Sequence, residues 1–158
     1  MSALTVALPN RRATTRLAGR LARVLAPGDL LVLEGPLGSG KTFLTRALCR
    51  SLGLDRALPV TSPTFTLLHE LETVPPVAHA DLYRLADAAA VRLLGLDAQR
   101  DEGRILVVEW GGPYVAVLGG DGLVVELAVE PRREARVRAT GARSALVLAE
   151  LAAACGVP

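Results

Sequence analysis

The sequence predicts an α/β fold in three layers, a single domain over residues 1–158 with a mostly parallel central sheet and a C-terminal antiparallel hairpin. Three observations predict it. Two short runs, Leu30–Leu33 and Ile105–Val108, are apolar at every position, the pattern of strands covered on both faces. Segments of helical period alternate with strand-like ones, which puts helices against the faces of a sheet. A glycine-rich stretch, GPLGSGKT at residues 35 to 42, joins the first apolar run to a helix-like segment.

The elements follow in order. Thr5–Leu8 is a short strand. Ala13–Leu25 is a helix, because Leu17, Leu21, Val24 and Leu25 recur at helical spacing while arginines fill the other face. The turn signal PGD at 27–29 separates it from Leu30–Leu33. Lys41–Leu52 is a helix stopped by Gly53. Thr64–Leu71 is extended and is broken by the two prolines at 75 and 76. Val77–Leu82 is a strand, and Ala86–Leu94 is a helix ending before Gly95. Ile105–Val108 is closed by Glu109. Leu123–Val129 and Ala135–Ala139 form the hairpin around EPRRE, and Ala142–Cys155 is the last helix.

Composition narrows the function classes. Hydrophobic residues make up 51% of the chain, enough for a packed core. No apolar run approaches the ~18 residues of a membrane span, and the first residues lack the basic start of a secretory signal. A net charge of +2 does not announce a nucleic-acid binder. Cys49 and Cys155 are far apart, form no CxxC and read as buried, reduced thiols of a cytoplasmic protein. With only His69, His79 and these cysteines, a zinc site is not expected.

Lys41 is the only lysine; every other basic residue is arginine. Its position explains the exception. Gly35, Gly40, Lys41 and Thr42 complete G-x-x-x-x-G-K-[ST], preceded by a buried strand and followed by a helix. Gly35, Gly38 and Gly40 let the backbone bend so that the N–H groups of Leu37 to Phe43, Ser39 included, converge on phosphate oxygens. The helix start adds positive potential. A compact ammonium enters such a cradle where the planar arginine fork does not fit. Thr42 offers a hydroxyl to Mg²⁺. The pattern therefore predicts a nucleoside triphosphate with Mg²⁺.

A hydrolytic loop of this kind needs an acid on a neighbouring strand, to hold Mg²⁺ or to orient water. Glu109, at the end of an apolar strand, and Asp81, in VAHADLYRL, are the candidates, with the two roles open between them. Val77, His79 and Asp81 share a strand face, so His79 is expected near Asp81 as a hydrogen-bonded structural histidine. Ser62 and Thr64, in TSPTF, offer hydroxyls that can sense a γ-phosphate and act as a switch. Trp110 is either a stacking surface or a core aromatic. Arg132 and Arg133 read as a solvated hairpin tip.

Taken together, GPLGSGKT, TSPTF, HADLYRL and VVEW, in this order and in a chain of this length, resemble the TsaE family (formerly YjeE). These are small P-loop ATPases of bacterial tRNA threonylcarbamoyladenosine synthesis. The resemblance implies a cytoplasmic, Mg²⁺-dependent ATPase with a P-loop NTPase-like fold. It implies TsaD-like and TsaB-like partners, modification of adenosine 37 in tRNAs reading ANN codons, and at most a weak or indirect contact with tRNA. By matching position it assigns Lys41 and Thr42 to phosphate and metal, Asp81 and Glu109 to the acids, and Ser62 and Thr64 to the switch-like segment. The chain departs from the family pattern at Pro36, Phe43, Leu71 and Gly111-Gly112, none of which is a phosphate or metal ligand. Two other readings use the same loop. A small-molecule kinase would need an arginine-bearing lid, for which Arg84, Arg92, Arg100 and Arg104 are the sequence candidates, although they read better as a solvated face. A nucleotide-gated adaptor would need binding without turnover.

Overall fold

The computed structural model describes residues 3–63 and 66–158. Among these residues are seven strands and five α-helices. They are β1 (Leu4–Ala7), α1 (Arg11–Val24), β2 (Leu30–Glu34), α2 (Lys41–Ser51), β3 (Leu68–Leu71) and β4 (Val77–Asp81). Then follow α3 (Ala88–Leu93), α4 (Leu96–Asp101), β5 (Ile105–Glu109), β6 (Leu123–Ala128), β7 (Glu134–Ala139) and α5 (Ala142–Ala154). The sheet order is β1-β7-β6-β2-β5-β4-β3. The four central strands, β6-β2-β5-β4, are parallel, and both margins are antiparallel.

The apolar runs of β2 and β5 lie side by side at the centre, which is why neither has a polar face. Alternation then divides each strand between two cores. Leu31, Leu33, Val107 and Val125 face the layer of α1, α2 and α5. Leu30, Val32, Leu106, Val108 and Val124 face the opposite layer, where Val91 of α3 and Leu96 of α4 meet them. Leu17 and Leu21 of α1 and Leu44 and Leu48 of α2 are fully buried between helix and sheet. Each contributes about 2 kcal/mol of apolar burial. No helix among the described residues is long and apolar enough to cross a membrane.

Helix ends follow local chemistry. The Asn10 side chain accepts from Ala13 N at 2.9 Å and caps α1. The first residue before α5 is Gly141, which has no side chain to cap with. Asp121, from the loop before β6, supplies the missing acceptor, receiving Arg143 N at 2.8 Å and Ser144 N at 2.9 Å. Burial raises the Asp121 pKa, but the Ser144 side chain, these two backbone bonds and the nearby Arg100 outweigh it and hold the carboxyl below its ordinary value.

The departures from the sequence reading have physical causes. The hairpin β6–β7 is present, but β1 adds outside β7, so the margin is β1 and not the hairpin itself. β3 pairs antiparallel on β4 at the other margin. Its shorter span leaves out the first part of Thr64–Leu71, and Thr64 lies outside the described residues. α4 has one buried residue, Leu96, too few to give a periodic signal. Cys49 is fully buried, but Cys155 is only partly so and lies 3.6 Å from Arg20 Nη1. Arg100 is not solvated. It donates to the carbonyls of Gly28 at 2.8 Å, Leu118 at 2.6 Å and Asp121 at 3.2 Å, tying the α1–β2 turn to the β5–β6 connection. Arg104 pairs with Glu102 and Glu70. Arg132 and Arg133 are exposed, as expected of a solvated hairpin tip, with Arg132 also pairing with Glu134 at 3.2 Å.

Candidate functional site

The glycine-rich loop leaves the carboxyl end of β2 and enters α2 through Gly40, whose φ of 105° is left-handed. Gly35 has φ 144°, and a Cβ there would lie 2.6 Å from both the Leu127 carbonyl oxygen and Ser39 Oγ. Backbone conformation and space both require glycine at that position. Gly38 is also left-handed, with φ 78°. Leu37, at the crest of the loop, is 74% exposed.

Lys41 begins α2 and is buried at 5% exposure. Its ammonium donates to Gly35 O at 2.6 Å, Pro36 O at 3.1 Å and Ser39 Oγ at 3.4 Å, so all three protons are engaged by the loop itself. The Trp110 ring centroid lies 4.2 Å from Nζ. Burial lowers the lysine pKa, while Glu109, Glu34 and Asp81 act against that shift. Trp110 is thus neither a free stacking surface nor a simple core residue. Its backbone is left-handed, φ 62°, its N–H donates to Leu33 O at 3.0 Å, and its ring meets Tyr83 at 4.9 Å.

The two acids arrive from neighbouring parallel strands. Asp81 ends β4, Glu109 ends β5, and the two are paired in register. Both are buried, at 4% and 2% exposure. Thr42 Oγ1 lies 3.2 Å from each carboxylate oxygen of Glu109. Asp81 is held by Ser62 Oγ at 2.6 Å and by Tyr83 N at 2.8 Å. His79 is fully buried, and its Nε2 meets Glu109 Oε2 at 2.5 Å, so its partner is Glu109 and not the expected Asp81. His79 Nδ1 is buried without a partner among the described residues. His69, across from it on β3, has its pKa lowered by burial and by the neighbouring His79.

Sequence reasoning missed one acid of this cluster. Glu34 ends β2, and its side chain accepts from Gly112 N. An acid directly before Gly35 was the available signal. Among the described residues, no three of His, Cys, Asp and Glu converge on one point as a self-sufficient metal site. The donors present, the Thr42 hydroxyl and the Glu109 and Asp81 carboxylates, are hard oxygens. That set fits Mg²⁺, which keeps waters and takes phosphate oxygens to complete its octahedron.

Two clefts open on either side of the loop. The first, about 420 Å³, is lined by Lys41, Thr42, Ser62, Asp81, Glu109 and Trp110, with Arg84 and Tyr83 at its side. The second, about 350 Å³, lies between the loop and the start of α1, lined by Asn10, Arg11, Thr14, Leu127 and Arg133. Gly38, Gly40 and Phe43 border both. The Arg11 guanidinium lies 5.6 Å from the Phe43 ring centroid.

A parallel-centred sheet with this loop between β2 and α2, and acids at adjacent strand ends, defines a P-loop NTPase-like protein. Residues 8–138 match the family model described as "Threonylcarbamoyl adenosine biosynthesis protein TsaE", and the chain belongs to the TsaE family. It is 40% identical over 116 residues to the tRNA threonylcarbamoyladenosine biosynthesis protein TsaE of Mycobacterium tuberculosis H37Rv, covering 68% of each chain. It is 36% identical over 145 residues to the corresponding Bacillus subtilis protein, covering 90% of this chain and 89% of that one. The crystal structure of Bacillus subtilis YdiB superposes with a TM-score of 0.78 at 31% identity, over 97% of both chains.

Proposed function

We propose that this chain binds ATP with Mg²⁺ and hydrolyses it in support of TsaD-like and TsaB-like proteins. Those proteins form N6-threonylcarbamoyladenosine at position 37 of ANN-decoding tRNAs, in the cytoplasm. The observation that carries the reading is the convergence of Lys41, Thr42 and Glu109 at the mouth of the loop. The loop amides and Lys41 bind the β- and γ-phosphates, the ammonium exchanging the Gly35 and Pro36 carbonyls for phosphate oxygens. Mg²⁺, when bound, neutralises charge on the transferring phosphoryl group. Thr42 and Glu109 face its place. Asp81, fixed by Ser62 and Tyr83 N, is left to orient the attacking water. The second cleft, bordered by Phe43 and Arg11, takes the ribose and base. Ser62 couples the TSPTF segment to Asp81, which supports a switch role for that segment; Thr64 belongs to the same proposal.

Two of the four arginines that a kinase lid could use, Arg100 and Arg104, are tied into the fold away from the cleft. Only Arg84 lines the cleft among the described arginines. Slow intrinsic turnover follows, with partner proteins completing the site.

Reconstitution with the two partners, tRNA, ATP and a preformed activated threonylcarbamoyl donor, with and without this chain, tests the role. Lys41→Ala is expected to weaken ATP binding on the order of a hundredfold, the loss of about 3 kcal/mol of charge-assisted bonding. Asp81→Ala and Glu109→Ala are expected to keep binding and lose turnover. Normal hydrolysis by both acid variants, alone and in the complex, refutes the assignment. Full modification over many turnovers with a slowly hydrolysed analogue makes the chain an adaptor.

A further inference from the structure

The charge of this protein is distributed unevenly. Residues 1–54 carry eight basic side chains against two acidic ones, while residues 55–158 carry ten against fourteen. Neither α1 nor α2 contains an acid, and the two helices pack side by side in one layer. Of the ten arginines in residues 55–158, Arg104, Arg132, Arg136 and Arg143 each meet a carboxylate. Among the described residues no arginine of α1 or α2 is in an ion pair, although Arg11, Arg12, Arg16, Arg23 and Arg50 are exposed.

Between α1 and α2 runs a groove of about 390 Å³ lined by Thr15, Arg46, Arg50, Ser51 and Arg56, with no acid in its lining. Arg46 is fixed by donating Nη2 to Val60 O at 3.0 Å. Arg50 and Arg56 are exposed, as are Ser51, which adds a hydroxyl, and Thr15, whose hydroxyl donates to Arg11 O at 3.0 Å. The nearest acid in sequence, Asp55, is turned to its own loop and accepts from Ala57 N at 2.9 Å. This groove borders Phe43 but contains none of Lys41, Thr42, Asp81 or Glu109.

Guanidinium groups without carboxylate partners, beside a serine hydroxyl in a groove with no carboxylate in its lining, match a run of phosphodiesters. Arginine forks pair bidentately with phosphate, and hydroxyls add donors that position a backbone without reading bases. A single nucleotide does not span such a face, whereas a folded RNA does. We infer that the α1–α2 face binds the phosphate backbone of tRNA directly. The choice of tRNA over another polyanion rests on membership of the TsaE family; the groove itself does not depend on the ATPase reading.

The test is fluorescence anisotropy of a labelled transcript of an ANN-decoding tRNA against the full chain, from 50 to 200 mM salt. The variant is Arg50→Glu/Arg56→Glu, which leaves the Val60 anchor of Arg46 and the nucleotide site intact. Wild type is expected to bind with a salt-dependent affinity. The variant is expected to bind at least roughly tenfold more weakly, with the slope of log K against log salt reduced by about two. Its ATP binding by calorimetry and its melting temperature are expected to match wild type, so failure here is distinguishable from failure of the ATPase reading. Three results overturn the inference: no tRNA binding by wild type, unchanged affinity and slope in the variant, or poly-glutamate competing as well as tRNA at equal charge. The last outcome would make the face a site for an acidic protein.

Discussion

Removing the His79 imidazole tests whether the buried His79–Glu109 contact sets the geometry of the candidate site. His79 is fully buried, and Nε2 is the partner of Glu109 Oε2 at 2.5 Å. His79→Ala deletes the ring packing, about 2 kcal/mol, and leaves a buried carboxylate oxygen without its partner, about 1–3 kcal/mol. Loss of the partnerless Nδ1 returns about 1 kcal/mol. The net cost is about 2–4 kcal/mol, or roughly 5–15 °C in melting temperature for a domain of this size. His79→Gln keeps a donor near Glu109 and is expected to recover part of it. The functional arm reads ATP turnover against Mg²⁺ concentration. Once free of His79, Glu109 is expected to swing from Thr42, raising the Mg²⁺ needed for half-maximal rate, with partial rescue by Gln. A His79→Ala protein that melts within about 1 °C of wild type and keeps its Mg²⁺ dependence refutes the positioning role.

Asp121→Ala removes the borrowed cap of α5 and is expected to cost about 1–2 kcal/mol in chemical denaturation. Because the folded-state pKa of Asp121 lies below its ordinary value, its contribution is complete above that value and fades as pH falls through the folded one. The difference between wild type and variant should therefore shrink in acid, and a constant difference down to the acid transition contradicts the cap. Burial pushes the Cys49 thiol up to about 12, so it stays protonated at pH 8. A disulfide reagent at that pH is expected to titrate Cys155 alone in the native protein and both thiols after denaturation. Rapid labelling of Cys49 without unfolding would contradict its burial.

Much of the chain was legible from local pattern. The runs Leu30–Leu33 and Ile105–Val108 could only be strands covered on both faces, and the structure puts them side by side in the centre of the sheet. The glycines and Lys41 of the loop were legible because backbone conformation and phosphate chemistry both demand those residue types in a contiguous stretch. α4 was not legible, since six residues with one buried leucine carry no period. Arg100 looked solvated because sequence does not reveal that carbonyls from two distant connections converge on one guanidinium.

By itself, the sequence determined the loop, the strand-end acids Asp81 and Glu109 and the family they resemble, because each is written in adjacent residues. Tertiary structure alone decided which partner each acid has: Glu109 between Thr42 and His79, Asp81 under Ser62 and Tyr83 N. The same holds for Lys41 folded back on its own loop beneath Trp110, and for Arg46, Arg50 and Arg56 gathered in one groove beside α1. The physical reason is common to all of them. Hydrogen bonds and charge contacts depend on distances of a few ångströms between residues remote in the chain, and strand order and register set those distances.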